Sequence, residues 1–343
     1  MNALPLGSLL TSPPPALRVA EVAALVARHW GLYGEFAPLT SERDLNFRLT
    51  GDAGRFVVKI ANSAEPVEQT RFQNRALRHV AARDAGLPVP RVVAALDGAD
   101  DVLLPSGHLM RVITWLDGTP LHMARGGAAQ RQALAQGLAR LTLALQGFDD
   151  PAADHLLLWD IKNAARLRPM LPLVPDADLR AICEGVLDRF DALAPALAGL
   201  RWQVVHSDLN PHNVLVAPDD PDRLAGIIDF GDMVRTPVIC DLAVACAYEI
   251  DREGPLASLV EFAAAYHRLN PLTAAERDML FDLTATRMVT TVAITGWRAA
   301  EYPQNRDYIL RNYPSARAGL MALAAVPRED ALAALATACP EVP

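Results

Sequence analysis

The sequence lacks the features that mark membrane, secreted and nucleic-acid-binding proteins. No uninterrupted apolar run in its 343 residues approaches the roughly 20 residues of a membrane span. The segment from Met1 to Pro15 has no basic region ahead of an apolar one, so no secretory signal is predicted. The net charge of −8 argues against nonspecific binding to nucleic acid, for which a basic stripe is expected. We therefore expect a cytoplasmic protein.

Cysteine is also scarce, and its spacing predicts no metal site. The chain has four cysteines, with no C-x-x-C pair, and we expect them to be reduced and mostly buried. They are Cys183, Cys240, Cys246 and Cys339. Hydrophobic residues make up 51% of the chain and charged residues 21%. This composition is typical of a globular enzyme whose large core is divided between two lobes.

What the chain does contain is a pair of polar loops, each next to an apolar strand. Residues His206 to Asn213 have the spacing H-x-D-x-x-x-x-N, and the apolar run Val214-Leu215-Val216 follows them. A second run, from Leu224 to Ile228, leads into Asp229-Phe230-Gly231. Kinases use this layout of a catalytic loop and an Asp-Phe-Gly turn for phosphoryl transfer.

These two loops supply the groups that phosphoryl transfer needs. Asp208 is predicted to be the catalytic base, which accepts or orients the proton of the acceptor hydroxyl. Asn213 and Asp229 are predicted to bind Mg²⁺, because this ion prefers hard oxygen ligands. The alternative is that these residues only cap an ordinary hairpin, but two matched elements in the right order argue against it. His206 is predicted to be structural and to bond backbone around the Asp-Phe-Gly turn, since the role of base is already filled.

A helix and a hairpin are predicted near the amino terminus. Apolar residues at helical spacing predict an amphipathic helix that ends at Gly31. Residues 46–50 and 55–60 are typical of strands, and the turn at 51–54 joins them as a hairpin. Lys59 lies in the second strand, and we expect it to bind the α- and β-phosphates of a nucleotide, because a buried ammonium needs a partner. The alternative is an edge-strand lysine that faces water.

Two motifs of protein kinases are missing. No G-x-G-x-x-G precedes Lys59, so the backbone amides and the Ser41 hydroxyl of the loop from Leu39 to Phe47 are predicted to bind the phosphates instead. No A-P-E follows the Asp-Phe-Gly turn. A peptide substrate is therefore not expected.

The chain resembles the aminoglycoside phosphotransferase and choline kinase superfamily and, within it, the hydroxylysine kinase group. The resemblance extends over nearly the whole chain, through Lys59 to the carboxyl-terminal helices. The superfamily motifs are Ser41-Glu42-Arg43-Asp44-x-Asn46-Phe47 and Arg111-x-x-x-Trp115-Leu116-x-Gly118. The segments that favour the hydroxylysine kinase group are Ile228 to Met233, Asp241-Leu242-Ala243 and Ala247-Tyr248.

This resemblance implies an α+β protein-kinase-like fold with two lobes. The amino-terminal lobe, with a small antiparallel sheet, would comprise residues 1–110, followed by a hinge at 111–118 and a mainly helical lobe at 119–343. ATP or GTP with Mg²⁺ would bind between the lobes. Backbone groups of the hinge segment, Arg111 and Ile113 among them, would bind the purine.

The resemblance also implies an acidic partner for Lys59 on the helix that follows it. Glu68 is the predicted partner, with Gln73 or Asn74 as polar alternatives.

The acceptor site is predicted near the carboxyl-terminal helices. In the helical pattern from Glu276 to Ala299, Arg287 and Arg298 fall on one face, with Trp297 adjacent. Two arginines on one face are able to bind a carboxylate; the alternative is that they pair with surface acids such as Asp282, Glu301 or Asp307. Glu249 is a candidate for binding a substrate ammonium group, or else part of a solvated helix end. Asp241 is predicted to be a helix N-cap that also steadies the catalytic loop through backbone amides.

We predict a small-molecule kinase that phosphorylates a hydroxyl of an amino alcohol or hydroxy-amino acid. Hydroxylysine leads by resemblance, and an aminoglycoside, homoserine or choline are the alternatives. A pseudokinase that only binds nucleotide would require the loss of Asp208, Asn213 or Asp229, and the chain has all three. The oligomeric state is left open.

Overall fold

The computed structural model describes residues 15–41, 44–124 and 126–341. The chain divides into two compact units. The first comprises Met1–Asp117 with Asp150–Ala152, and the second Gly118–Asp149 with Ala153–Pro343. An antiparallel sheet dominates the first unit and helices dominate the second, so the predicted α+β fold class is confirmed.

The first unit is a twisted antiparallel sheet with two long helices. Its elements are α1 (Val19–Trp30), β1 (Glu35–Leu39), β2 (Leu45–Gly51), β3 (Gly54–Ile60), α2 (Val67–Arg83), β4 (Val92–Val93), β5 (Val102–Leu103) and β6 (Leu109–Thr114). The strand order is β1-β2-β3-β6-β4, and β5 also pairs with β6. The predicted hairpin is β2 and β3, in which Gly51 pairs with Gly54.

Strand alternation gives this sheet one apolar and one polar face. The apolar face buries Phe47, Val58 and Val112 against α1, whose residues Val22 and Val26 are fully buried. On α1 the residue Gly31 ends the helix with a φ of 65°, a conformation that glycine adopts without steric cost. The predicted amphipathic helix is therefore confirmed, and it covers the sheet face opposite to the polar one.

The second unit is built mainly from helices. Its strands are β7 (Thr119–Pro120), β8 (Trp202–Val205), β9 (Val214–Ala217), β10 (Asp220–Ile227) and β11 (Val234–Pro237). Its α-helices are α3 (Ala128–Leu145), α4 (Ala177–Leu193), α5 (Val238–Glu249), α6 (Pro255–His267), α7 (Ala274–Glu301), α8 (Arg306–Ile309), α9 (Tyr313–Ala324) and α10 (Arg328–Ala338). Its 3₁₀ segments are Leu121–Met123, Ile161–Leu173, Ala194–Gly199, Phe230–Asp232, Pro303–Asn305 and Leu310–Asn312.

Helix α7 is the most deeply buried long element of this unit. Its 28 residues begin at a capping box, in which the Thr273 hydroxyl accepts from the Glu276 amide and the Glu276 carboxylate accepts from the Thr273 amide. Arg201 binds the same carboxylate at 2.7 and 2.6 Å. The start of α7 is thus fixed, and with it the positions of the side chains farther along. Of the helices described, none is long and apolar enough to cross a membrane.

Core packing in α3 gives a matched test of stability. Leu138 is fully buried, whereas Leu143 on the same helix is 41% exposed. We expect Leu138→Ala to lower the free energy of unfolding by about 2–5 kcal/mol, because it leaves a cavity. Leu143→Ala should change it by no more than about 0.5 kcal/mol. Urea unfolding followed by circular dichroism measures both, and equal effects would contradict this packing.

Candidate active site

The catalytic loop lies between β8 and β9 and is held by its own side chains. The Asp208 Oδ2 atom accepts hydrogen bonds from the Nδ2 atoms of Asn210 at 2.8 Å and Asn213 at 2.7 Å. Asn213 Nδ2 also lies 3.0 Å from the Asp208 carbonyl oxygen, and Asn210 Oδ1 accepts from the His212 amide at 2.8 Å. These bonds fix the orientation of the predicted catalytic carboxylate.

His206 joins the catalytic loop to the Asp-Phe-Gly turn. It is fully buried, its Nε2 atom lies 3.1 Å from the Ile228 carbonyl oxygen, and its Nδ1 atom accepts from the Asp208 amide at 3.3 Å. The hydrogen-bond pattern assigns the ring proton to Nε2. Burial lowers the pKa of His206, which favours the neutral ring. The ring also meets Phe230 edge-to-face at 4.8 Å. The predicted structural contact is confirmed.

Asp241 steadies the catalytic loop from α5. Its Oδ1 atom accepts from the Ser207 amide at 2.7 Å, as predicted. The predicted N-cap role is wrong, because α5 begins at Val238 after Pro237 and places Asp241 inside its first turn. Burial raises the pKa of Asp241 to about 6. Ser207 has a φ of 65°, an unfavourable conformation for serine that this contact helps to hold.

Asp229 and Asn213 come together through the pairing of β9 with β10. Val214 pairs with Ile227, and the Ile228 amide donates to the Asn213 carbonyl oxygen at 2.8 Å. Asp229 follows at once and has a φ of 61°. Its Oδ1 atom accepts from the Gly231 amide at 3.3 Å. The two predicted metal ligands therefore lie at the ends of neighbouring strands.

The donor atoms of Asn213 and Asp229 fit a magnesium ion. Asn213 turns its Nδ2 atom toward Asp208, so its carbonyl oxygen is the atom that remains for a metal. Asp229 is exposed and contributes a carboxylate. Mg²⁺ in nucleotide enzymes commonly binds one or two such protein oxygens together with waters and phosphates.

Arg287 of α7 binds the predicted catalytic base directly. Its side chain is only 2% exposed, and its Nη2 atom lies 3.1 Å from Asp208 Oδ1 and 3.3 Å from the Tyr248 hydroxyl. Its Nη1 atom donates to the Trp159 carbonyl oxygen at 2.8 Å. The alternative of a surface ion pair with Asp282 is wrong, because Asp282 binds Arg189 and Arg328.

Sequence reasoning missed Trp159 and the side-chain role of Tyr248. The centre of the Arg287 guanidinium lies 5.3 Å from the ring centroid of Trp159 and 5.8 Å from that of Tyr248. A signal for Tyr248 was available, since it follows Asp241 by two helical turns and so shares its face of α5. Trp159 lies in an irregular segment with no such signal.

The other predicted acceptor residues lie elsewhere in the second unit. Arg298 follows Arg287 by three helical turns, which is about 16 Å along α7; it is 9% exposed, and burial, followed by the charge of Arg311, lowers its pKa. Trp297 is half-buried beside it. Burial raises the pKa of Glu249 to about 7, and the charge that opposes this shift is that of Arg131. Of this group, Arg287 is the residue whose contact with Asp208 the described part of the chain shows.

Arg311 was not predicted, although it acts on the catalytic loop. Its positive charge, after that of Arg287, opposes the effect of burial on the pKa of Asp208. Burial, followed by the charges of His122 and Arg311, lowers the pKa of His212 to about 4. The Arg311 guanidinium lies 3.9 Å from the ring centroid of Tyr308. Arg287 of α7 thus contacts Asp208, and Arg311 of the 3₁₀ segment Leu310–Asn312 adds a second positive charge that acts on it.

In the first unit, Lys59 lies on the polar face of an interior strand. Strand β3 pairs with β2 on one side and β6 on the other, so the alternative of an edge-strand lysine is wrong. Arg111 lies opposite Lys59 in the register and is 4% exposed. Its guanidinium binds the side-chain oxygens of Asn74, at 2.8 Å, and Gln73. These amides, predicted as alternative partners of Lys59, thus tie α2 to Arg111.

Glu68 and Ile113 make contacts other than those predicted for them. Glu68 is 61% exposed and forms ion pairs with Arg71 and Arg75 of its own helix. Residues 111–114 of the predicted hinge belong to β6, where Ile113 pairs with Val57 and Val92 on its two sides. The backbone of Ile113 is therefore inside the sheet, and the prediction that it binds the purine is wrong.

Ser41 stabilises the loop between β1 and β2, in which it was predicted to bind phosphate. Its Oγ atom accepts from the Asp44 amide at 3.1 Å, and Asp44 Oδ1 accepts from the Asn62 amide at 3.1 Å. Glu42 and Arg43 of the same motif lie outside the described residues. The hydroxyl of Ser41 keeps its own proton for donation, so its binding of a phosphate stays a prediction.

The sequence profile of the phosphotransferase enzyme family matches residues 35–280, which hold both Lys59 and the two polar loops. The chain belongs to this family. It is 27% identical to the hydroxylysine kinase of Mus musculus over 332 residues, 87% of each chain. It is 31% identical to the homoserine kinase of Rhodospirillum rubrum over 243 residues, 67% of this chain and 70% of that one.

A solved structure shares the fold. An amicoumacin kinase, in complex with AMP-PNP, Ca²⁺ and Ami, superposes with a TM-score of 0.64 at 17% identity, covering 87% of this chain and 93% of that one. The predicted resemblance to the aminoglycoside phosphotransferase superfamily is thus confirmed, and the protein is a small-molecule phosphotransferase.

The contact between Asp241 and Ser207 gives a test of how the loop is held. Ser207 is buried, with 3% of its surface exposed. Asp241→Ala removes the acceptor of the Ser207 amide. We expect a loss of about 1–3 kcal/mol in the free energy of unfolding and lower turnover. Asp241→Asn keeps an oxygen acceptor and should retain most of both. Urea unfolding measures the free energy of unfolding, and nucleoside diphosphate release measures turnover. Identical behaviour of the two variants would argue against the role of Asp241 in holding the loop.

Proposed function

We propose that the protein transfers the γ-phosphoryl group of ATP or GTP to the hydroxyl of a hydroxy-amino acid, with hydroxylysine as the first candidate. The observation that carries the proposal is the Asp208 carboxylate, held by three side chains beside the turn that carries Asp229. Membership of the phosphotransferase family supports the reaction class. The mouse hydroxylysine kinase supports the acceptor.

In this mechanism Asp208 accepts the proton of the acceptor hydroxyl as that oxygen attacks the γ-phosphorus. Asn213 and Asp229 would hold Mg²⁺, and the bound ion would neutralise charge on the phosphates. Lys59 binds the phosphates from β3, and Ser41 donates its hydroxyl to them. The AMP-PNP and Ca²⁺ bound to the amicoumacin kinase support a nucleotide donor and a divalent metal.

The charges around Asp208 favour an acceptor that carries a carboxylate. Arg287 adds positive charge there but already donates to Asp208, Tyr248 and Trp159. We therefore assign the carboxylate to Arg311, which is exposed and whose charge acts on both Asp208 and Arg298. A carboxylate is the group of an amino acid that such cations bind. The partly buried Glu249 is proposed to bind a substrate ammonium group. Similarity to a homoserine kinase keeps homoserine as the second candidate.

Acceptor-dependent release of nucleoside diphosphate tests this function. With Mg²⁺ and ATP or GTP, we expect release with hydroxylysine above homoserine, serine, choline, ethanolamine and aminoglycosides. Asp208→Ala should lower turnover about 10²–10⁴-fold, because it removes the base, while nucleotide binding stays largely intact. Near-normal turnover in that variant would show that Asp208 is not the base.

A matched pair of acceptors tests the carboxylate. Homoserine and 3-amino-1-propanol present the same hydroxyl and amine, but only homoserine has a carboxylate. A higher kcat/KM for homoserine is the expected result. A preference for 3-amino-1-propanol would change the substrate class to amino alcohols.

The metal ligands are tested separately through nucleotide binding. We expect Asp229→Ala to weaken binding of the Mg²⁺ nucleotide by about 10–100-fold, in the range seen when a group that supports a metal is lost. Asp222→Ala is the control, because Asp222 is an exposed carboxylate on β10, the strand that leads to Asp229. Titration with a fluorescent nucleotide at several Mg²⁺ concentrations measures both. Unchanged metal dependence in Asp229→Ala would overturn the assignment.

A further inference from the structure

The Asp208 carboxylate has one acceptor position left for a substrate. A carboxylate offers about four such positions, two on each oxygen. Asn210 and Asn213 occupy both positions on Oδ2, at 2.8 and 2.7 Å. Arg287 occupies one position on Oδ1, at 3.1 Å. The remaining position is therefore on Oδ1, and the Asp208 side chain as a whole is 19% exposed.

The guanidinium of Arg287 is fixed where it meets that oxygen. Its Nη2 atom uses its two hydrogens on Asp208 Oδ1 and the Tyr248 hydroxyl, and Nη1 is anchored on the Trp159 carbonyl oxygen at 2.8 Å. The rings of Trp159 and Tyr248 pack within 6 Å of its centre, at 5.3 and 5.8 Å. This clamp of two aromatic residues holds Arg287 without drawing on the second lone pair of Oδ1.

The geometry differs from that of an ion pair whose only role is structural. Arginine and carboxylate commonly pair through two parallel hydrogen bonds, which use both oxygens. Here Arg287 makes a single bond to Asp208 and leaves a position on the same oxygen open. Buried ion pairs also add little net stability compared with apolar packing. The arrangement therefore points to orientation of the carboxylate.

We propose that the acceptor hydroxyl binds Oδ1 of Asp208 and that Arg287, clamped by Trp159 and Tyr248, is the positioning residue that aims this oxygen. The inference rests on the proposed function. The hydroxyl O–H bond breaks and its proton goes to Oδ1, while the hydroxyl oxygen forms a bond to the γ-phosphorus. The bond from the γ-phosphorus to the bridging oxygen breaks, and the nucleoside diphosphate leaves with that electron pair.

This assignment also places Tyr248 beside the acceptor. The Tyr248 oxygen accepts from Arg287 Nη2 at 3.3 Å, so its own proton is available to donate. A donor at this position would face the attacking oxygen or a neighbouring polar group of the substrate. Tyr248 is therefore assigned to the acceptor site as a residue that affects KM for the acceptor.

The test uses Arg287→Gln, Arg287→Lys and Tyr248→Phe in the full-length protein with hydroxylysine and homoserine. We expect Arg287→Gln to lower kcat about 100-fold, because orientation of the reacting groups is lost, without changing KM for the nucleotide. The ratio of nucleoside diphosphate to phosphorylated acceptor should rise, since water replaces the misplaced hydroxyl. Arg287→Lys should restore part of kcat and of this ratio. Tyr248→Phe should raise KM for the acceptor several-fold.

Arg189→Gln is the matched control. Arg189 also pairs with a buried aspartate, Asp282, at 3.1 Å, but it does not contact Asp208. We expect it to lower stability while leaving the product ratio unchanged. Wild-type kcat and product ratio in Arg287→Gln would overturn the assignment. If that variant fails to fold, wild-type values in both Arg287→Lys and Tyr248→Phe would overturn it.

The result for the wild-type protein separates the two proposals. Transfer by the wild type together with an unaffected Arg287→Gln contradicts the positioning role alone. If the wild type binds nucleotide but transfers phosphate to no acceptor, the proposed function is contradicted. The positioning role is then contradicted as well, because it rests on that function.

Discussion

The structure of the site depends on keeping one partly buried carboxylate ionised and oriented. Burial raises the pKa of Asp208, and the positive charge of Arg287 opposes that effect. Loss of one partner of a buried ion pair costs about 3–5 kcal/mol, so the position of Arg287 is strongly constrained. Amide donors alone satisfy Oδ2, while Oδ1 has the cation. The two oxygens therefore have different electrostatic surroundings.

A fixed orientation of Asp208 requires a firm support for the catalytic loop. Helices α5 and α7, which are buried along most of their length, provide this support. Helix α5 supplies Asp241 to the Ser207 amide and Tyr248 to Arg287, two helical turns apart. Helix α7 supplies Arg287 and begins at the capping box of Thr273 and Glu276. Closely packed helices shift little relative to one another. Contacts with these helices therefore restrict the movement of the catalytic loop. His206 extends the same support to the Asp-Phe-Gly turn through the Ile228 carbonyl oxygen.

The contacts made by residues of the recognised motifs were predictable, including that of Asp241 with the Ser207 amide, whereas the contact of Arg287 with Asp208 was not. Motif spacing predicted the strands around Asp208 and Asp229, and it predicted the contact of His206 with the turn. The contact of Arg287 with Asp208 joins residues that are 79 positions apart, and no periodicity encodes it. Glu68 instead pairs with two arginines of its own helix, Arg71 one turn away and Arg75 two turns away. A sequence pattern cannot rank such competing partners.

The two units hold their buried arginines by different means. Arg287 is bound to a carboxylate and to neutral oxygens, so much of its charge is balanced locally. Arg111 donates to the side-chain oxygens of Gln73 and Asn74, and these bonds orient its guanidinium against α2. Lys59 lies directly opposite Arg111 in the register. Both cations therefore lie on the polar face of the sheet, the face from which we propose that Lys59 binds the phosphates.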